Sequence, residues 1–124
     1  MKIAVTAAGP STSATVDPRF GRCAYFLLVE SDDGSFEAVE NPGGAQGGGA
    51  GIQAARLVAQ RGAKVVLTGS VGPNAYQALE AAGVEVVVGC SGTALQAIEL
   101  FQSGQLRAAT GPNAASHAGT GATR

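Results

Sequence analysis

The chain predicts a three-layer α/β sandwich, a mixed five-stranded sheet covered by helices, and three observations carry that prediction. Short apolar runs rich in β-branched residues recur along it (KIAVTA, AYFLLVE, KVVLTG, EVVVG). Asp33-Gly34 is a hairpin signal that turns one run back on the next. After a glycine cluster the apolar spacing becomes helical, and strands and helices then alternate, as in crossover units.

Each element follows in order. Lys2–Ala7 and Ala24–Glu30 are nearly continuous in apolar residues, which predicts central strands covered on both faces. Phe36–Glu40 carries Glu37 and Glu40 and suits an edge. In the first helix Ile52, Ala55, Val58 and Ala59 share a face, with Gln53, Arg56 and Gln60 opposite, and Gly62 ends it. Lys64–Gly69 and Glu85–Gly89 are buried parallel strands. Between them Pro73 opens a second helix with Ala75, Ala78, Leu79 and Ala82 inward, and Gly83 closes it. Thr93 and Gln96 have capping-box spacing at the head of a third helix, whose stripe is Ala94, Ala97, Ile98 and Phe101 and whose stop is Gly104. The order is βββαβαβα. With the first strand central, the sheet order is 3-2-1-4-5, and only strand 2 runs against the others.

Composition bounds the function. With 124 residues the chain is a single domain, expected over 1–107, followed by a flexible low-complexity tail over 108–124 that lacks large apolar side chains. A net charge of -1 argues against nucleic acid as a partner. Two cysteines make no secreted disulfide scaffold, and no run approaches the ~20 apolar residues of a membrane span, so a reducing cytoplasm is expected. Cys23 and Cys90 fall roughly 14 Å apart across three strand spacings, beyond disulfide reach.

The predicted topology brings the loop over 8–22, the Gly43–Gly51 turn, Ser70–Pro73 and Cys90–Thr93 to one sheet edge, where open α/β sheets take ligands. Val16–Phe26 (VDPRFGRCAYF) is the densest chemistry there. Asp17 before Pro18 favours a turn, anchored by the carboxylate, and Gly21 frees the backbone, so Arg19, Arg22 and Cys23 project from a bend. Two guanidiniums suit an anion. Cys23 is either a soft metal ligand whose thiolate the arginines favour, or a small buried apolar residue. The glycine cluster either cradles an anion with backbone N–H groups or merely permits tight entry into the helix; it matches neither a Walker A loop nor GxGxxG. His117 is the only histidine and lies in the tail, which removes a Ser-His-Asp arrangement from consideration. Carboxylates are too few near the edge for two-metal nuclease chemistry.

The segments VDPRFGRCAYFLLVE, ENPGGAQGGGAGIQAA, VVLTGSVGPNAYQALEAAGVEVVVG and SGTALQAIE together resemble the dinitrogenase iron-molybdenum cofactor biosynthesis family, up to about Ala108. The Asp-x-x-Phe-Gly element at Asp17–Gly21 and the Gly-Pro-Asn-Ala element at Gly72–Ala75 carry the likeness. This family includes NifX-like and NafY-like carriers and the C-terminal domain of NifB-like proteins. The resemblance implies a ribonuclease H-like fold and a non-enzymatic carrier of an iron-sulfur or iron-molybdenum cluster, or its precursor, that meets an assembly or acceptor protein. Asp17, Arg19, Phe20, Gly21, Arg22, Cys23, Gly47, Gly48 and Gly49 are then the expected cofactor-binding residues, with Cys23 the metal ligand. Some carriers have histidine where this chain has Arg19, and a guanidinium would pair with a cluster's negative charge rather than coordinate it. A small regulatory or interaction module that binds an anion or a partner protein without a cluster is the alternative.

Overall fold

The computed structural model describes residues 1–42 and 49–113. Its elements are β1 (Lys2–Ala7), β2 (Tyr25–Glu30), β3 (Phe36–Glu40), α1 (Ala50–Gln60), β4 (Ala63–Leu67), α2 (Pro73–Ala81), β5 (Glu85–Val87) and α3 (Ala94–Gln102). The sheet order is β3-β2-β1-β4-β5, with β1 antiparallel to β2 and parallel to β4. Order, strand direction and helix number all agree with the pattern in the sequence.

Alternation along the strands divides the core in two. Ala4, Phe26, Leu28, Val66 and Val86 face α1 and α2, whereas Ile3, Val5, Leu27, Val65, Leu67 and Val87 face α3. This is why the two central strands are apolar throughout. β3 instead exposes Phe36, Glu37, Ala38 and Glu40, as an edge strand does, and Arg61 reaches Glu37 at 3.2 Å.

Several local expectations change. Asp33-Gly34 does not form a two-residue hairpin: the connection runs from Ser31 to Ser35, because the Asp33 carboxylate accepts from the Ser35 amide (2.9 Å) and hydroxyl (2.7 Å) and widens the turn. β5 stops at Val87, and Gly89 follows with φ 77°. In α1 the buried residues are Ala50, Ala54, Ala55 and Val58, while Ile52 and Ala59 are half-buried. A Cβ on Gly51 would lie 3.1 Å from the Cβ of Ala75, so α1 and α2 cross on small residues. In α2 Tyr76 is inward and Ala82, the C-cap, is exposed.

The C-terminal segment also differs from expectation over residues 109–113. The Ala109 amide donates to the Val86 carbonyl (2.6 Å), and Asn113 bonds to the β4–α2 loop, so backbone pairing holds a stretch that composition assigns to the tail. Residues 114–124, including His117, lie outside the described residues.

Candidate functional site

The loop between β1 and β2 crosses the sheet edge where β1, β3, β4 and β5 end. Its outward limb is tied to α3. The Ala94 and Leu95 amides donate to the Ala14 and Thr12 carbonyls (2.8 and 3.0 Å), and the Gln96 amide donates to the Thr93 hydroxyl in a complete capping box. The N-terminus of α3 is therefore closed by the chain itself.

The return limb holds the charged motif. Asp17 is buried, and its amide donates to the Thr6 carbonyl (2.9 Å). Thr6 Oγ1 lies 2.8 Å from the Asp17 carbonyl and 2.9 Å from Thr68 Oγ1, both hydroxyls being fully buried. A hydroxyl has one proton, so Thr6 donates to the carbonyl and accepts from Thr68. The Asp17 carboxylate then accepts from the Arg19 amide at 3.0 Å, an Asx turn that agrees with the anchoring role expected of Asp17.

Two close approaches fix Pro18–Gly21 between its neighbours. A Cβ on Gly69 would sit 2.7 Å from Pro18 Cα, and a Cβ on Gly21 would sit 2.9 Å from the Gly51 backbone. Only glycine allows those backbones to touch. The Ser70 hydroxyl donates to the Pro18 carbonyl (2.7 Å), the Phe20 amide donates to the Ser70 carbonyl (3.1 Å), and Arg19 bridges Ser70 in parallel. Phe20 drives its ring into the core, edge-on to Phe26 with centroids 5.8 Å apart.

On this clamped backbone Arg19 and Arg22 are exposed. The Arg19 side chain is 65% exposed, with Nε 3.9 Å from Asp17 Oδ1. Cys23 points the other way. It is 1% exposed in the α1/α2 core, and Asn41 Nδ2 donates to its carbonyl (2.9 Å) and lies 3.8 Å from its sulfur. Burial first, and then the Asp17 charge, push the Cys23 thiol up to about 12; Asn41 and Arg19 oppose this only weakly. Arg19 thus favours the thiolate in sign, as expected, but the net shift is upward, because loss of solvent outweighs a charge that remains in solvent. Cys90 is buried in the other core, and the two cysteines are free, as their expected separation requires.

Gly49 is the N-cap of α1 with φ 85°, a left-handed conformation, whereas Gly47 and Gly48 lie outside the described residues. Among the described residues no three His, Cys, Asp or Glu side chains come together as a metal site. The edge therefore joins Asp17, Arg19, Phe20, Gly21, Arg22 and Cys23 in one loop, with Phe20 and Cys23 facing inward. Thr6, Asn41, Thr68, Ser70 and Asn113 complete it and carry no local sequence signal. Asn41 is the partial exception, since Asn-Pro directly after a strand marks a turn.

The chain is thus an α/β domain with a mixed sheet and a basic loop pinned at its edge. The chain belongs to the dinitrogenase iron-molybdenum cofactor family, whose model matches residues 1–104. The apo form of the orange protein from Desulfovibrio gigas is similar at 48% identity and TM-score 0.89, covering 91% of this chain and 96% of that one. A Thermotoga protein solved as a candidate NifB protein is 33% identical with TM-score 0.77, covering 86% and 91%. An uncharacterised protein of Methanocaldococcus jannaschii is 31% identical over 109 residues, covering 86% of this chain and 89% of the relative. Among the described residues no helix is long and apolar enough to cross a membrane.

Proposed function

We propose that this chain is a non-enzymatic carrier that binds an iron-sulfur or iron-molybdenum cluster, or its precursor, at the Asp17–Cys23 edge and passes it to an assembly or acceptor protein. The observation that supports it best is the division of labour in the loop. Asp17, Ser70 and two glycine contacts hold the backbone, and the guanidinium of Arg19 stands out from it. A rigid backbone with exposed cationic tips fits the sulfide face or the organic acid of an anionic cluster by charge and N–H donation. Such contacts release cargo without breaking a set of metal–thiolate bonds.

Within this reading Arg19 and Arg22 contact the cluster, Asp17, Phe20 and Gly21 position the loop, and Gly49 opens α1 beside it. Cys23 can ligate iron only if the start of β2 opens, because its sulfur is buried and protonated. Two free thiols suit a reducing compartment such as the cytoplasm. The inward thiol also favours the second reading, a regulatory or interaction module that binds an anion or a partner protein without a cluster.

Anaerobic titration with isolated iron-molybdenum cofactor, and separately with ferrous iron and sulfide, distinguishes them. The expected result is visible absorption that follows the protein through gel filtration. It is lost in the Arg19→Ala/Arg22→Ala double variant and kept in Cys23→Ala. A colourless wild type would favour the cluster-free module, and loss in Cys23→Ala alone would mean thiolate ligation.

A further inference from the structure

We infer that Asn113 is a positioning residue for the candidate site: it straps the β4–α2 loop from behind and so sets the backbone that presents Arg19. Asn113 lies beyond the residues 1–104 that the family model matches. Its side chain acts as a peptide group would. Oδ1 accepts from the Val71 amide (2.8 Å), Nδ2 donates to the Gly69 carbonyl (3.0 Å), and its own amide donates to the Val71 carbonyl (3.1 Å). Ser70, between those two residues, holds the Pro18 carbonyl and the Phe20 amide. Three chain segments are thus stacked: the strap, Gly69–Val71, and Pro18–Phe20.

No slack exists at the second junction, where a Cβ on Gly69 would fall 2.7 Å from Pro18 Cα. A displacement of Gly69–Val71 is passed to Pro18–Phe20, since packed backbone does not compress. The strap is secured upstream, where the Ala109 amide donates to Val86 (2.6 Å) and the Tyr76 hydroxyl donates to the Ala109 carbonyl (3.3 Å). The chain beyond the family domain therefore belongs to the frame of the site.

The inference rests on the carrier reading only for its consequence, slower loss of cargo, so two readouts are used on the full chain. In Asn113→Ala, amide exchange measured by NMR is expected to quicken about tenfold at Val71 and severalfold at Phe20, whose acceptor is Ser70. Asn113→Asp, which keeps an acceptor for Val71 but loses the donor to Gly69, is expected to fall between. Loss of bound iron-molybdenum cofactor to a chelator should quicken in the same order. Faster exchange at Val71 with none at Phe20 would overturn the inference, since the strap would then be local packing. If wild type binds no cofactor, the carrier reading fails, and exchange at Phe20 still decides the positioning role.

Discussion

Removing the Cys23 sulfur should make the protein less sensitive to alkali, by an amount the burial of this thiol fixes. Its ionisation is raised from the ordinary 9.0 to about 12 in the folded chain. Below pH 9 the thiol is protonated in both states and contributes no pH dependence. Above pH 9 the unfolded chain loses the proton while the folded chain keeps it, so the folded state binds more protons and stability falls as pH rises. The loss continues until the folded thiol itself ionises near 12. At pH 10 it amounts to about 1 kcal/mol, from the ratio of ionised populations in the two states.

The assay is urea unfolding of wild type and Cys23→Ala at pH 7.5 and pH 10. The variant carries a pH-independent cost for the missing sulfur, and the other titrating groups, Cys90 among them, are common to both proteins and cancel. The stability gap between the two proteins should narrow by about 1 kcal/mol between the two pH values. An unchanged gap would show that Cys23 ionises as readily in the fold as outside it. The thiolate would then be available to metal, and the assignment of recognition to the arginines would fail.

Three further outcomes follow from contacts at the same edge. Gly69→Ala should destabilise by roughly 2 kcal/mol or more, because the new methyl meets Pro18 backbone rather than a movable side chain, and urea midpoints will show it. Thr6→Val should cost about 1–3 kcal/mol in the same measurement, since it strips the buried Asp17 carbonyl and the Thr68 hydroxyl of their partner. Thr93→Ala should cost about 1 kcal/mol and quicken amide exchange at Gln96, whose N–H the threonine hydroxyl caps.

Fold and site were legible to different depths, and the reason is how far each depends on distant contacts. Strand order followed from apolar runs and turn residues. Gly62, Gly83 and Gly104 do take positive φ after their helices, and the Thr93–Gln96 box closes as spaced. The α1 stripe was less readable because α2 meets it through Gly51 and Ala75, which brings alanines inward ahead of Ile52. The edge itself and the Asp17 turn were evident from local sequence. Thr6, Thr68 and Asn113 were not, and Ser70 was placed at the edge without its bond to Pro18, since a polar side chain shows its partner only when remote segments meet. Cys23 had two readings in the sequence for a related reason: the neighbouring arginines are a local feature, whereas the burial that dominates its ionisation is a tertiary one.

That division bears on how the site works. The ion pair of Arg19 with Asp17 is long and solvent-exposed on the arginine side, so it contributes little to folding. Apart from the Asp17 carboxylate, which accepts from the Arg19 amide, what holds the bend is neutral: backbone hydrogen bonds, a serine, two threonines and glycines whose missing side chains let three segments touch. The charged tips are therefore separable from the scaffold. Replacing Arg19 leaves the clamp in place, and a change in ligand binding on that substitution reports on recognition rather than on collapse of the loop. A site assembled this way holds its geometry before the ligand arrives, so little of the binding energy goes into ordering the backbone.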